Sequence, residues 1–204
     1  MVVTDIVELS KTRSRVILDN EEAFVLYKDE IRSMNVKKGE ELSDENIRYI
    51  MSELLVKRAR LRCLNLLKSR DYTRHQLIRK LKQCFYPKTV IENAIEYTAS
   101  YGYIDDVKYA MSYIQYAGSA KSRKQIVNEL QKKGVSKQDI EVAYIQSEEK
   151  NICIGEEEVI QKILEKKRYK KNESTFEERR KIADFLYRKG FSPDKICKSV
   201  GLYE

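Results

Sequence analysis

One helix–turn–helix pattern occurs three times along the chain, and that periodicity narrows the possible folds more than any other feature. Thr73-Arg-His-Gln-Leu77 returns 49 positions on as Ser122-Arg-Lys-Gln-Ile126, with Leu81 landing on Leu130, Ile91 on Ile140 and Ala94 on Ala143. A further step of 56 positions carries Ile126 to Ile182, Leu130 to Leu186, Lys133-Gly134 to Lys189-Gly190 and Ile140 to Ile196. A period near 50 residues belongs to a helical array, in which each unit needs its neighbours to bury its apolar face. Copies two and three share a Lys-Gly turn, followed by Ser136 and Ser192 in position to cap the next helix. Copy one has Phe85-Tyr86-Pro87 instead of the glycine turn.

Between the first two copies lies Tyr101-Gly-Tyr-Ile-Asp-Asp-Val-Lys-Tyr-Ala110, which reads as a structural joint between helices. Gly102 takes positive φ without a Cβ penalty and so ends the incoming helix. Asp105 caps the outgoing helix, and Asp106 adds negative charge at its positive end. Val107, Ala110, Met111 and Ile114 then follow at helical spacing.

Only residues 1–27 read as strands. Val2–Leu9, Arg15–Leu18 and Ala23–Tyr27 are rich in β-formers, with Asp19-Asn20-Glu21-Glu22 as the hairpin turn. A ribbon this small needs something to pack on. Ser43 caps a long helical stretch whose two apolar stripes fall out of phase near Val56-Lys57, predicting a bend there. Thr73 with Gln76 forms a capping box. The organisation expected is a β-rich segment over 1–42 and helical repeats over 43–104, 105–149 and 150–204.

Enzyme chemistry finds no footing. The single histidine, His75, falls on a predicted helix beside Arg74 and Arg79, with no nucleophile spaced to use it. Asp105-Asp106 sits where capping, not metal binding, is expected. The four cysteines lie far apart with no C-x₂-C pair, so they read as free thiols in a reducing compartment. There is no glycine-rich phosphate loop, no apolar run near the ~20 residues of a membrane span and no secretory segment. A cytoplasmic protein without cofactor or metal is expected. Charge is uneven: residues 44–104 hold 12 basic and 6 acidic side chains, against 7 and 9 in residues 1–43. A basic first repeat suits phosphates or an acidic protein surface. Tyr97, Tyr101, Tyr103, Tyr109, Tyr113 and Tyr116 cluster around the joint, as core residues with wet hydroxyls or as platforms for unpaired bases.

These elements resemble the RecX family, bacterial modulators of the RecA recombinase. The Tyr101–Ala110 stretch is similar to that family's glycine–apolar–Asp-Asp–x-x-aromatic-Ala element. Thr73-x-x-x-Leu77-x-x-x-Leu81 is similar to its Arg-Ser/Thr-x-x-Glu-Leu helix, with Gln76 in place of the common Glu. Ile126-x-x-Glu129-Leu130-x-x-Lys133-Gly134-Val135 matches its Glu-Leu-x-x-Lys-Gly-Ile element, and Lys38-Gly39-x-x-Leu42 after the hairpin resembles its longer members. The resemblance implies a mostly α protein of three tandem three-helix repeats in a curved, elongated array behind a small N-terminal β-ribbon. It implies a non-enzymatic monomer that lies in the groove of the RecA–DNA filament and inhibits strand exchange, ATP hydrolysis and coprotease activity.

The residues expected on the RecA- or DNA-binding face are Arg58, Arg62, Arg70, Arg74, Arg79, Lys80, Arg123 and Lys124. A helical module binding single- or double-stranded DNA without RecA is the alternative.

Overall fold

A computed structural model describes residues 1–202, apart from the side chain of Glu22. The chain forms two compact units, Met1–Ile104 and Asp105 onward.

The first unit opens with an antiparallel meander of β1 (Val3–Glu8), β2 (Arg13–Leu18) and β3 (Glu21–Tyr27). The β2–β3 turn is shorter than the sequence implies. Asp19 and Asn20 alone make it, both at positive φ (48° and 68°), and Glu21 already pairs with Leu18. Two left-handed residues match the twist of a tight hairpin, and Asp and Asn tolerate that region best after glycine. Alternation puts Ser14, Val16 and Leu18 on the buried face, with Val16 opposite Phe24 and Ser14 opposite Leu26.

That face is covered by helices. Val3, Val16, Leu18, Phe24 and Leu26 join Ile50, Leu55, Ala59, Leu77, Leu81, Ile91 and Ile95 in one apolar cluster. The ribbon therefore gains the packing partner that its size demands. After the short α1 (Lys28–Ser33), Ser43 caps α2 (Asp44–Tyr49), its hydroxyl accepting from Asn46 N at 3.2 Å. A π turn over Ile50–Leu54 leads into α3 (Leu55–Ser69). The irregularity thus lies one turn before the expected bend. The extra residue of a π turn rotates the following helix. The Ile47–Ile50–Leu54 stripe thereby meets the Ala59–Cys63 stripe in one core. Helices α4 (Arg74–Lys82) and α5 (Lys88–Ser100) complete the unit.

The second unit holds two more three-helix groups: α6 (Asp106–Ala117), α7 (Arg123–Lys132) and α8 (Lys137–Glu149), then α9 (Glu156–Lys166), α10 (Phe176–Arg188) and α11 (Pro193–Val200). The repeat positions behave alike: Leu81, Leu130 and Leu186 are each fully buried, as are Ile91, Ile140 and Ile196 within a few per cent. Capping boxes start α4 (Thr73/Gln76), α7 (Ser122/Gln125) and α10 (Thr175/Glu178). Gly102 has φ 70° where α5 ends, and Asp105 Oδ1 accepts from Lys108 N at 2.8 Å where α6 begins.

Ser192 departs from expectation. It stands at the N-cap of α11, but its hydroxyl makes no cap bond. It donates instead to Glu156 Oε2 at 2.9 Å, while its N–H goes to Glu156 Oε1 at 3.1 Å. The charge-assisted bond to the carboxylate orients the hydroxyl away from the first turn, and Lys195 completes the cluster at 3.1 Å. Ser122 also does more than cap α7. It accepts from Gln125 N at 3.2 Å and donates to the carbonyl of Lys189 at 2.5 Å, so the second helical group holds the Lys-Gly turn of the third.

Candidate functional site

The basic residues singled out by sequence fall into three environments. On the first unit, α3 presents Arg58 and Arg62 to a cleft of about 360 Å³ between the β-ribbon and the α4–α5 turn. Arg58 is half-buried and committed. It pairs with Glu30, donates to the Val25 carbonyl at 3.2 Å and lies over the Tyr27 ring at 4.5 Å. Arg62 is exposed at the mouth of the cleft, where β2 adds Arg13. The Phe85 ring and the Tyr86 side chain form the far wall. Burial pushes the Tyr86 hydroxyl up to about 12, so it is a neutral donor at physiological pH.

Helix α4 turns Leu77 and Leu81 inward and leaves Arg74 and Arg79 exposed, with Lys80 half-buried. Arg74 borders a shallow groove between α4 and α5 whose floor is Ile78, Ile91 and Ile95. Arg70 ends α3 and lies over Tyr72 at 4.6 Å.

In the second unit, Arg123 lies over the Tyr144 ring at 4.2 Å and reaches Glu141 at 3.0 Å and Glu148 at 3.7 Å. It borders a cleft of about 350 Å³ between the second and third helical groups, together with Lys121, Lys195 and Phe191. Each cation there already has a carboxylate: Lys121 meets Glu129 at 2.6 Å, and Lys195 meets Glu156. Glu129 is held below the usual carboxylate range by the Lys121 hydrogen bond first and the Tyr113 hydroxyl second. The stem of Lys124 fills the space beside Gly190: a Cβ built there would come within 2.9 Å of Lys124 Cδ.

The two clefts therefore differ in electrostatics. The second is internally compensated, and its charges mainly lock helices together. The first combines a fixed guanidinium with two exposed ones and an aromatic wall. Such a surface offers directional donors for phosphate or carboxylate oxygens and flat faces for stacking. A partly exposed aromatic ladder lies elsewhere on the same unit, with Tyr97 half-buried and Tyr101 and Tyr103 exposed. Arg60 stands over Tyr97 at 4.3 Å, Tyr97 and Tyr101 are 4.9 Å apart, and Tyr101 stacks on Tyr103 at 6.2 Å.

The binding face expected from sequence did not include Arg13, Arg60 or Phe85. Arg13 and Arg60 carry no local signal, since their neighbours come from distant strands and helices. Phe85 did carry one, because the repeat alignment puts it where the other copies have glycine. Among the described residues no helix is long and apolar enough to cross a membrane.

Comparison with known proteins bears on this arrangement. Residues 59–97 match the family model described as RecX, first three-helix domain, and residues 155–199 match RecX, third three-helix domain. The chain is 30% identical over 206 residues to the regulatory protein RecX of Caldanaerobacter subterraneus subsp. tengcongensis, covering 99% of this chain and 100% of that relative. It is 25% identical over 201 residues to the regulatory protein RecX of Clostridioides difficile, covering 96% and 92%. Among solved structures, RecX from Lactobacillus salivarius superposes with a TM-score of 0.60 at 26% identity, over 73% of this chain and 98% of that one. A second crystal structure of a regulatory protein RecX is alike in fold, with a TM-score of 0.60 at 23% identity over 99% of both chains.

Proposed function

The chain belongs to the RecX family of regulatory proteins, and from that premise we propose that it binds the filament of RecA on DNA and restrains its recombinase, ATPase and coprotease activities. The observation that carries this reading is the exposed basic surface of the first unit. Arg62, Arg74 and Arg79 stand on rigid helices, in a family whose members are named as regulators. Helices of this kind reach usefully far: the 13 residues of α5 span about 20 Å at 1.5 Å per residue. A protein holding neighbouring protomers at fixed spacing shifts their equilibrium by its differential affinity for the arrangements they adopt. No covalent step is needed, and the protein acts as a cytoplasmic monomer without cofactor.

The test is DNA-dependent ATP hydrolysis by the cognate RecA, with this protein titrated in. Inhibition is expected. Unchanged hydrolysis at saturating protein refutes the proposal. The basic patch also favours a second reading, a module that binds DNA without RecA. Its mark is affinity for naked DNA whose log–log salt slope follows the number of phosphates neutralised. Charge reversal at Arg74 and Arg79 separates the two readings. Intact DNA affinity with lost RecA inhibition eliminates the second.

A further inference from the structure

Phe85 occupies the position of Gly134 and Gly190 in the other two helical groups. All three residues are left-handed, with φ of 60°, 86° and 82°. All three turns close with the same hydrogen bond: Tyr86 N to Leu81 O at 3.4 Å, Val135 N to Leu130 O at 3.1 Å and Phe191 N to Leu186 O at 3.3 Å. Glycine takes this conformation without penalty, and a bulky aromatic does not. Burial does not compensate for the strain, because Phe85 remains 45% exposed. Strain kept at a residue that packs poorly is a mark of function.

The surroundings indicate which function. One neighbour of the ring is Arg15 of β2, its guanidinium 4.2 Å from the centroid. The ring also lines the cleft that holds Arg13, Arg58 and Arg62. Arg58 is held by Glu30 and the Val25 carbonyl, and so forms a fixed wall. Arg13 and Arg62 are exposed, and among the described residues neither is paired with a carboxylate. The cleft volume falls in the range of small-ligand sites, about 300–1,000 Å³.

We propose that this cleft receives an unstacked base of single-stranded nucleic acid, the base lying against Phe85 and the adjoining phosphates meeting Arg13 and Arg62. A planar face fits the ring, and phosphate oxygens fit two exposed guanidinium forks. The inference also gives the β-ribbon a role, since β2 supplies both Arg13 and the arginine that steadies the ring. It rests on the reading that this protein works on a DNA-bearing filament, and it assigns the strand contact to one place.

The experiment measures binding of the full chain to fluorescein-labelled dT20, and to a duplex of the same length, without RecA. Inhibition of RecA ATP hydrolysis is followed separately. Phe85→Gly is the informative variant. It relieves the left-handed strain, so its melting temperature should hold or rise. Its dT20 affinity should fall about tenfold, the value of one base–aromatic stack, with less effect on duplex. Arg13→Gln with Arg62→Gln should weaken dT20 binding and lower the salt slope by about 1.4, roughly 0.7 for each phosphate contact on a single strand. Wild-type dT20 affinity in both variants overturns the proposal. So does loss of RecA inhibition with dT20 binding intact, an outcome that makes the cleft a protein site and leaves the proposed function standing. Weakened dT20 binding, in a protein whose wild type has no effect on RecA, supports the cleft and refutes the proposed function instead.

Discussion

Replacing Ser122 with alanine removes two hydrogen bonds that serve different helical groups at once. The hydroxyl caps α7 by accepting from Gln125 N, and it latches the third group by donating to the Lys189 carbonyl. The residue is 1% exposed, so water replaces the lost partner only in part. Loss of a Ser cap costs about 1 kcal/mol. Loss of the second bond costs about 1 kcal/mol more, the net value of a hydrogen bond whose partner recovers water only in part. The sum is about 2 kcal/mol. For a unit of the size that starts at Asp105, each kcal/mol moves the midpoint by roughly 4–8 °C, so Ser122→Ala should lower it by about 8–16 °C. Ser136→Ala is the control. Ser136 is exposed, caps α8 by accepting from Asp139 N at 3.0 Å and, among the described residues, makes no bond to another helical group, so about 1 kcal/mol is expected. Ser122→Thr should retain most of the stability, since Thr73 fills the same position in the first copy. Thermal melts followed by circular dichroism give the midpoints. Amide exchange should show extra opening of α10 and α11 in Ser122→Ala alone. Equal shifts for Ser122→Ala and Ser136→Ala would refute the latch and leave Ser122 an ordinary cap.

Three further outcomes follow from the same geometry. Gly190→Ala should cost about 1–2 kcal/mol through its φ of 82°. The Lys124 stem adds to this, since its Cδ would lie 2.9 Å and its Cβ 3.1 Å from the new methyl, so Lys124→Ala, which keeps that Cβ, should restore only part of the loss in urea unfolding. Asp105→Ala should cost about 1 kcal/mol as a lost cap, and an unchanged melting curve would show that Asp105 does not hold α6. Glu156 gives a pH signature. Partial burial opposes its charge, but the Lys195 ammonium and both Ser192 donors outweigh that and hold its carboxyl below the usual range. A depressed carboxyl stabilises the fold above its unfolded value, near 4.3, and that stability fades as pH falls through the lower folded value. Glu156→Gln should therefore be less stable than wild type at pH 7 and lose less on acidification, as measured by midpoints between pH 7 and 3. Parallel pH curves would rule out this role.

Much of the helical frame was legible from sequence because its signals are local. Thr73 with Gln76 and Asp105 before Lys108 act within a single turn, and Leu81, Leu130 and Leu186 recur because every copy must bury the same face. The hairpin was legible as well, but its loop was read two residues too long, since Asp19 and Asn20 can hold the left-handed turn alone. The candidate site was less visible. The sequence offered a list of basic residues, and only their surroundings separate Arg58, tied to Glu30, from Arg62 at the mouth of a cleft.

By itself, then, the chain determined its three-fold helical period, most of its caps, its buried positions and its family. All of these depend on residues a few positions apart, or on a pattern repeated along the sequence. Tertiary structure decided which hydroxyl caps a helix and which is drawn elsewhere, with Ser192 turned to Glu156, 36 positions away, and Ser122 reaching Lys189 across 67. It also decided that Phe85 meets arginines from a distant strand. Such pairings depend on how the helices and the ribbon stack, and interactions across space leave no period in a sequence to be read.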